Sequence, residues 1–222
     1  MEDVVKKNEV LKQKADYYGK WFWILFWFLI VFNVLTFFVD GTLFDIFKEL
    51  SFLVLAVSAV NQVGYALILM KMSEFHENYK KASKYLLIAA IVYLMAQLLL
   101  NYGDLAEFST MFSLITAIIG FFAQKQELLS HEDVLLEYDL ELSKRWGALW
   151  KWTLRMIMLI VATLVVMLLL PLVGLLMLQG YAVGMFVIGV LKIVTLYKTA
   201  MFFKKYTVQE GCLASQENEN QL

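Results

Sequence analysis

The feature that most restricts the fold is a series of apolar stretches, each about as long as a helix that crosses a bilayer. An α-helix rises 1.5 Å per residue, so roughly 20 residues cross the roughly 30 Å of hydrocarbon. Apolar residues make up 61% of the 222-residue chain, whereas they make up about 45–50% of a soluble domain. The sequence therefore predicts an all-α, polytopic membrane helix bundle.

Six transmembrane helices are predicted, at about 21–39, 50–70, 85–101, 108–124, 154–178 and 181–203. The last two form one apolar run of about 50 residues, which is too long for a single span. We divide this run at Gln179–Gly180, because a division at Pro171 leaves the final helix too long. The first block is longer than the apolar core of a signal peptide, and we interpret it as a retained span.

Basic residues gather on one side of this topology. Of the 19 lysines and arginines, only Lys48 falls in a loop on the side opposite the two chain ends. Under the positive-inside rule, the side that retains Lys and Arg is cytoplasmic. We therefore predict three helical hairpins in a cell membrane, with both termini, including the N-terminal segment 1–20, in the cytoplasm.

The largest predicted cytoplasmic feature is an amphipathic helix at 124–152, between spans four and five. Its apolar residues recur at helical spacing: Leu128, Leu135, Tyr138, Leu142, Trp146 and Leu149. Its last third mixes tryptophans with basic residues, which settle at the depth of lipid headgroups. This predicted interfacial anchor consists of Lys144, Arg145, Trp146, Trp150, Lys151 and Trp152. The acidic part before it extends span four or lies on the membrane surface, and the polar tail 207–222 is predicted to be disordered.

Two motifs carry a resemblance to a known group. The basic, tryptophan-rich entry to span five reads SKRWGALWKWTL, and the final span closes in LYK. With three hairpins, these features resemble an uncharacterised group of small six-span integral membrane proteins of gut Firmicutes. That group has no assigned activity, so the resemblance implies a bacterial plasma membrane and no functional residue.

Lys192 stands inside the apolar run VGMFVIGVLKIVTLYK at 183–198. A lysine at the centre of a membrane helix costs about 2.5–3.5 kcal/mol on insertion scales. If Lys198 marks the cytoplasmic boundary, Lys192 lies roughly 9 Å inside it, and its stem can reach the headgroups. If the span ends near Lys204, Lys192 lies at mid-bilayer and needs a polar partner. Both interpretations remain open.

One face of the sixth span carries small and polar residues at spacings of three and four: Gly180, Gly184, Ile188, Lys192, Thr195 and Thr199. Gly180 and Gly184 form a small-xxx-small pattern, which lets membrane helices approach closely. We therefore expect this face to point toward other helices. Pro171 and Gly174 interrupt span five, and we interpret them as a kink, although broken helices also line transporter sites.

Amides inside two other spans also permit two interpretations. Asn61 and Gln62 lie in the second span, and Gln97 and Asn101 lie at the end of the third. Hydrogen bonds between membrane helices contribute about 0.6 kcal/mol each on average and are common in helix packing. The same four residues, together with Lys192, form a candidate intramembrane polar site that would line a route for a solute.

Motifs that indicate catalysis or metal binding are few. His76 and His131 precede acidic residues in predicted cytoplasmic loops, but neither has the spacing of a zinc site, and we interpret both as solvated. Cys212 is the single cysteine and has no partner for an intrachain disulfide. We therefore predict no enzyme activity, no cofactor and no bound metal, and the net charge of −1 gives no reason to expect a nucleic-acid partner.

Three functional classes follow from these observations. The first is a non-enzymatic membrane scaffold, or an oligomeric or partner-binding component, whose partners are the lipid bilayer and a second copy or another membrane protein. The second is a small transporter or channel with a polar pathway near Lys192. The third is a membrane enzyme, with His76 and His131 as its most plausible groups.

Overall fold

The computed structural model describes residues 2–38, 51–101 and 106–219. The helices in this part of the chain are α1 (Glu2–Phe38), α2 (Ser51–Met72), α3 (Glu77–Asn101), α4 (Ala106–Leu136), α5 (Leu140–Leu169) and α6 (Pro171–Glu219). All six are long and apolar enough to cross a membrane. The predicted all-α class with six membrane-compatible helices is confirmed, and the three-hairpin arrangement stays a prediction.

The break between the last two helices is not where we placed it. Helix α6 runs without interruption through Gln179–Gly180, and the chain leaves the helical conformation only at Leu170, with φ −137° and ψ 79°. The residue before a proline is sterically excluded from the helical region, whereas a proline at the first helical position loses no hydrogen bond. Pro171 therefore begins α6. The predicted break at Gln179–Gly180, on which the spans 154–178 and 181–203 depend, and the predicted kink in span five are wrong, whereas the bounds of the spans within a membrane stay a prediction.

Two other predicted segments also belong to long helices. The stretch 124–152 is not a separate amphipathic helix, because α4 continues to Leu136 and α5 begins at Leu140. The acidic part thus extends span four, one of the two expected alternatives. Where we expected a disordered tail from 207, α6 continues to Glu219. Likewise, α1 begins at Glu2 and includes residues 2–20 of the predicted N-terminal segment.

The chain divides into two compact units, Met1–Glu127 with Thr199–Leu222, and Leu128–Lys198. We call them unit 1 and unit 2. In unit 1, a four-residue connection at 73–76 reverses the chain, so α2 and α3 pack antiparallel. Their contact is lined by alanines such as Ala66 and Ala82, which are fully buried. Small side chains allow this close approach, and the Ser83 hydroxyl donates a hydrogen bond of 2.8 Å to the carbonyl oxygen of Ala66.

Aromatic rings join α1, the α2–α3 connection and α6 at one end of unit 1. The Tyr17 ring lies 5.2 Å from Phe75, and the Phe22 ring stacks on Phe203 at 5.6 Å. The Tyr17 hydroxyl also donates to the carbonyl oxygen of Lys71 at 2.6 Å. These contacts bring the lysine-bearing segments 12–20, 71–84 and 204–205 to one end, which we call the basic end of unit 1. Which side of the membrane this end faces stays a prediction.

Unit 2 contains a tight corner between α4 and α5. The carboxylate of Asp139 accepts hydrogen bonds from the backbone N–H groups of Glu141 and Leu142, at 2.8 and 3.0 Å. This is the N-cap arrangement that satisfies the open donors of a helix start. The Ser143 hydroxyl then donates to the carbonyl oxygen of Glu132 at 2.9 Å. The corner is thus fixed by polar contacts at the first turn of α5.

The other connection in unit 2 folds α6 back along α5. A β-carbon at Gly174 would lie 2.6 Å from the Cα of Met167, and one at Gly184 would overlap the side chain of Met156. These two contacts are possible only if α5 and α6 run antiparallel, because a straight helix would separate 156 from 184 by about 42 Å. The α5–α6 pair therefore reverses direction at Leu170.

Candidate functional site

The face of α6 that carries Lys192 points into the protein, as its pattern indicates. Ile188 and Thr195 on this face are 7% exposed, and Thr199 is fully buried. Lys192 itself is half-buried. The hydroxyl of Thr195 donates to the carbonyl oxygen of Leu191, one turn earlier, at 2.7 Å. The hydroxyl group of Thr195 is therefore hydrogen-bonded within α6 itself.

The antiparallel register of α5 and α6 gives the level of Lys192 along unit 2. Eight residues beyond the contact of Gly184 with Met156, Lys192 lies level with residue 148. This position falls in the tryptophan- and lysine-rich segment predicted to lie at headgroup depth. Lys192 also lies about 32 Å along the helix from Pro171, close to the full thickness of the hydrocarbon. If that segment lies at headgroup depth, Lys192 does so as well; its depth in the membrane stays a prediction.

The two glycines predicted to pack α6 against other helices have different surroundings. Gly184 lies against Met156, whereas a β-carbon at Gly180 would meet no atom of the described residues within 4 Å. Gly180 is exposed, and its neighbour Val183 is 64% exposed. Gly184 therefore packs within unit 2, and Gly180 leaves an open notch on the surface of α6.

Gly174 is needed at the reversal between α5 and α6, and its replacement gives a first testable result. Gly174→Ala should lower the free energy of unfolding by about 1–3 kcal/mol, because the new methyl group would overlap the backbone of Met167. Gly180→Ala, on the same helix, should raise it by up to about 1 kcal/mol through helix propensity. Unfolding of the purified variants in detergent measures both. Equal effects of the two substitutions would contradict the tight contact at Gly174.

The amides of α2 and α3 do not converge on one point. Asn61, Gln62 and Gln97 are each half-buried. Because Ser83 bonds to Ala66 in an antiparallel pair, Gln97 lies level with about residue 52, roughly 14 Å along the bundle from Asn61. Asn101 ends α3, and its side chain lies outside the described part of the structure. The proposed polar site is thus spread along the helices.

A buried carboxyl group that we did not single out lies in unit 1. Glu127 of α4 is 3% exposed, and its carboxylate accepts a short hydrogen bond from the hydroxyl of Tyr65 on α2, which is 8% exposed. Burial of a carboxyl group is costly unless it is hydrogen-bonded, so this contact is a strong constraint on how α2 meets α4. The sequence places Glu127 just beyond the predicted end of span four, and for that reason we expected it to lie in the cytoplasmic segment 124–152.

The prediction that His131 is solvated is wrong. His131 is fully buried in unit 2, and its ring lies 4.4 Å from that of Trp146, which is also fully buried. A signal for this was present, because His131 lies three residues after Leu128 and four before Leu135, on the predicted apolar stripe. His76 is half-buried in the α2–α3 connection, with its ring 5.9 Å from Tyr79.

The residues of the predicted interfacial anchor also differ in burial. Trp146 is an interior residue, so it does not reach the headgroups. The other members are half-buried or exposed: Lys144, Arg145, Trp150, Lys151 and Trp152. Arg155 lies 4.7 Å over the Trp152 ring, and Arg145 pairs with Glu141 at 2.6 Å on the surface. For these five residues the anchor role stays a prediction.

Several of the polar side-chain contacts described above join neighbouring helices. Within residues 2–38, 51–101 and 106–219, no three His, Cys, Asp or Glu side chains lie close enough together to hold a metal ion. The hydroxyls of Ser83 and Thr195 donate to backbone carbonyl oxygens, and that of Tyr65 donates to Glu127 across a helix contact. Comparison of the chain with protein-family models, with curated proteins and with solved structures gave no match. The six apolar helices fit an integral membrane protein in a lipid bilayer.

Proposed function

We propose that this chain is a non-enzymatic membrane component that assembles with a second copy or another membrane protein by packing one face of α6 against a partner helix. The observation that carries the proposal is the open notch at Gly180. A glycine in a membrane helix costs helix stability, and close packing of another helix is the usual compensation.

The residues in line with Gly180 support this interpretation. Small or β-branched residues follow at helical spacing and are exposed: Val183 at 64%, Val187 at 48% and Val194 at 43%. Such side chains form a shallow surface that lets the backbone of a second helix approach. Attraction between membrane helices comes mainly from this close contact, because lipid tails are as apolar as the helices.

The proposal predicts that bulk at Gly180 prevents assembly without unfolding the chain. Gly180→Leu should abolish co-purification of the partner or second copy after mild solubilisation, since the leucine fills the notch. Gly189→Leu is the matched control: a β-carbon there also meets no described atom within 4 Å, but nine residues at 100° each place it on the opposite face of α6. Mass measurement in detergent and thermal unfolding give the two readouts.

Three results would contradict the proposal. One is a wild-type chain that purifies as a monomer with no stoichiometric partner. Another is an equal loss of assembly in the two leucine variants. The third is solute flux through the reconstituted monomer that Lys192→Met abolishes. This last result would favour transport, which the half-buried Lys192 beside buried Ile188 and Thr195 supports.

A further inference from the structure

A groove with a volume of about 230 Å³ lies between α1 and α6 in unit 1. Its lining includes Asp16, Lys20 and Trp23 on α1, and Phe203, Lys204 and Thr207 on α6. The two helices come together at Gly19, where a β-carbon would lie 3.1 Å from the Cβ of Phe203. The groove is therefore a product of this close contact, and both lysines that line it are exposed along its edges.

The lining changes from polar to apolar along the groove. On α1, Lys20 immediately precedes the apolar block that begins at Trp21, and on α6 the apolar block ends at Phe203, before Lys204 and Lys205. Both helices thus change from basic to apolar at the same level. Indole and lysine side chains with this order are typical of the headgroup region of a bilayer.

The polar end of the groove carries a hydrogen-bond acceptor, the carboxylate of Asp16, as well as the two lysines Lys20 and Lys204. Asp16 lies one turn before Lys20, and Thr207 lies three residues after Lys204. The carboxylate of Asp16 can accept a hydrogen bond from a hydroxyl group but repels a second negative charge. The groove thus suits a ligand with one phosphate, a hydroxyl group beyond it and an apolar part on the other side.

We propose that this groove binds an anionic phospholipid with a hydroxylated headgroup. The phosphate lies between Lys20 and Lys204, the headgroup hydroxyls face Asp16, and the acyl chains pass Trp23 into the bilayer. Basic pockets between membrane helices on the cytoplasmic side are known sites for anionic lipid headgroups. This site is distinct from the α6 surface proposed for assembly, and neither proposal requires the other.

The test is a lipid titration of the full chain in neutral detergent, with bound lipid counted by native mass spectrometry. Phosphatidylglycerol and phosphatidylcholine with the same acyl chains are the two probes. The wild type should prefer phosphatidylglycerol. Lys20→Gln with Lys204→Gln should weaken phosphatidylglycerol binding roughly 30-fold, as expected for two lysines near a charged headgroup. The same double variant should leave phosphatidylcholine binding unchanged.

Two matched variants separate this site from general surface charge. Lys80→Gln with Lys81→Gln removes two exposed lysines of the same basic end and should bind phosphatidylglycerol as the wild type does. Lys20→Arg with Lys204→Arg should also retain binding. Equal binding of the two lipids by the wild type, or equal losses in the two glutamine variants, would overturn the proposal. Inorganic phosphate that displaces phosphatidylglycerol at micromolar concentration would also overturn it, because a soluble anion would then be the ligand.

Discussion

Trp146→Ala is expected to lower the free energy of unfolding by about 3–5 kcal/mol, the range for removal of a buried large aromatic side chain. Trp146 is fully buried, and its ring lies 4.4 Å from that of His131 at the corner of α4 and α5. Its loss would leave a cavity beside a buried imidazole. Equilibrium unfolding of the purified protein in detergent, followed by near-ultraviolet circular dichroism, measures the change.

Trp152 provides the matched control for this prediction. It lies on the same helix, six residues further along, but is 51% exposed, with the guanidinium group of Arg155 over its ring. Trp152→Ala should therefore cost no more than about 1 kcal/mol, the value of an exposed cation–π contact. Equal losses for the two tryptophans would show that Trp146 is not an interior residue.

The number and class of the helices could be predicted because the bilayer imposes a length. A membrane helix must satisfy its backbone hydrogen bonds internally and must cover the hydrocarbon, so apolar blocks of suitable length identify it. The same rule led to the wrong break at Gln179–Gly180, because we assumed that a helix ends where the membrane ends. Helix α6 has 49 residues, and only the proline provides a stereochemical reason to break the apolar run.

The buried polar residues were harder to predict, for a related reason. We expected the segment that carries Glu127 and His131 to be solvated because it follows an apolar block, yet both side chains are buried in the protein. Depth in the membrane and burial in the protein are separate quantities, and hydropathy reports mainly the first. The spacing of His131 within the stripe of leucines contained the missing information, whereas Glu127 precedes Leu128 and lies beside that stripe. Its contact with Tyr65 depends on how α2 meets α4, which the pattern of a single helix does not contain.

The contact of Tyr65 with Glu127 gives the second large expected effect. Tyr65→Phe should lower the free energy of unfolding by about 1–3 kcal/mol, because it removes a hydrogen-bond donor from a carboxylate that stays buried. Glu127→Leu should cost a similar amount, since the Tyr65 hydroxyl then loses its acceptor. Replacement of both partners by apolar groups should cost less than the two single changes together.

A double-mutant cycle separates this contact from the general effect of either substitution. The coupling energy between Tyr65→Phe and Glu127→Leu should be about 0.5–3 kcal/mol, as is usual for residues in contact. Tyr85→Phe with Glu77→Leu forms the comparison cycle, because Tyr85 is 38% exposed and Glu77 is exposed in the first turn of α3. Additive effects in the comparison cycle and coupling in the first are expected. Additivity in both would mean that the phenol and the carboxylate do not meet in the folded protein, and the contact between α2 and α4 would then need another explanation.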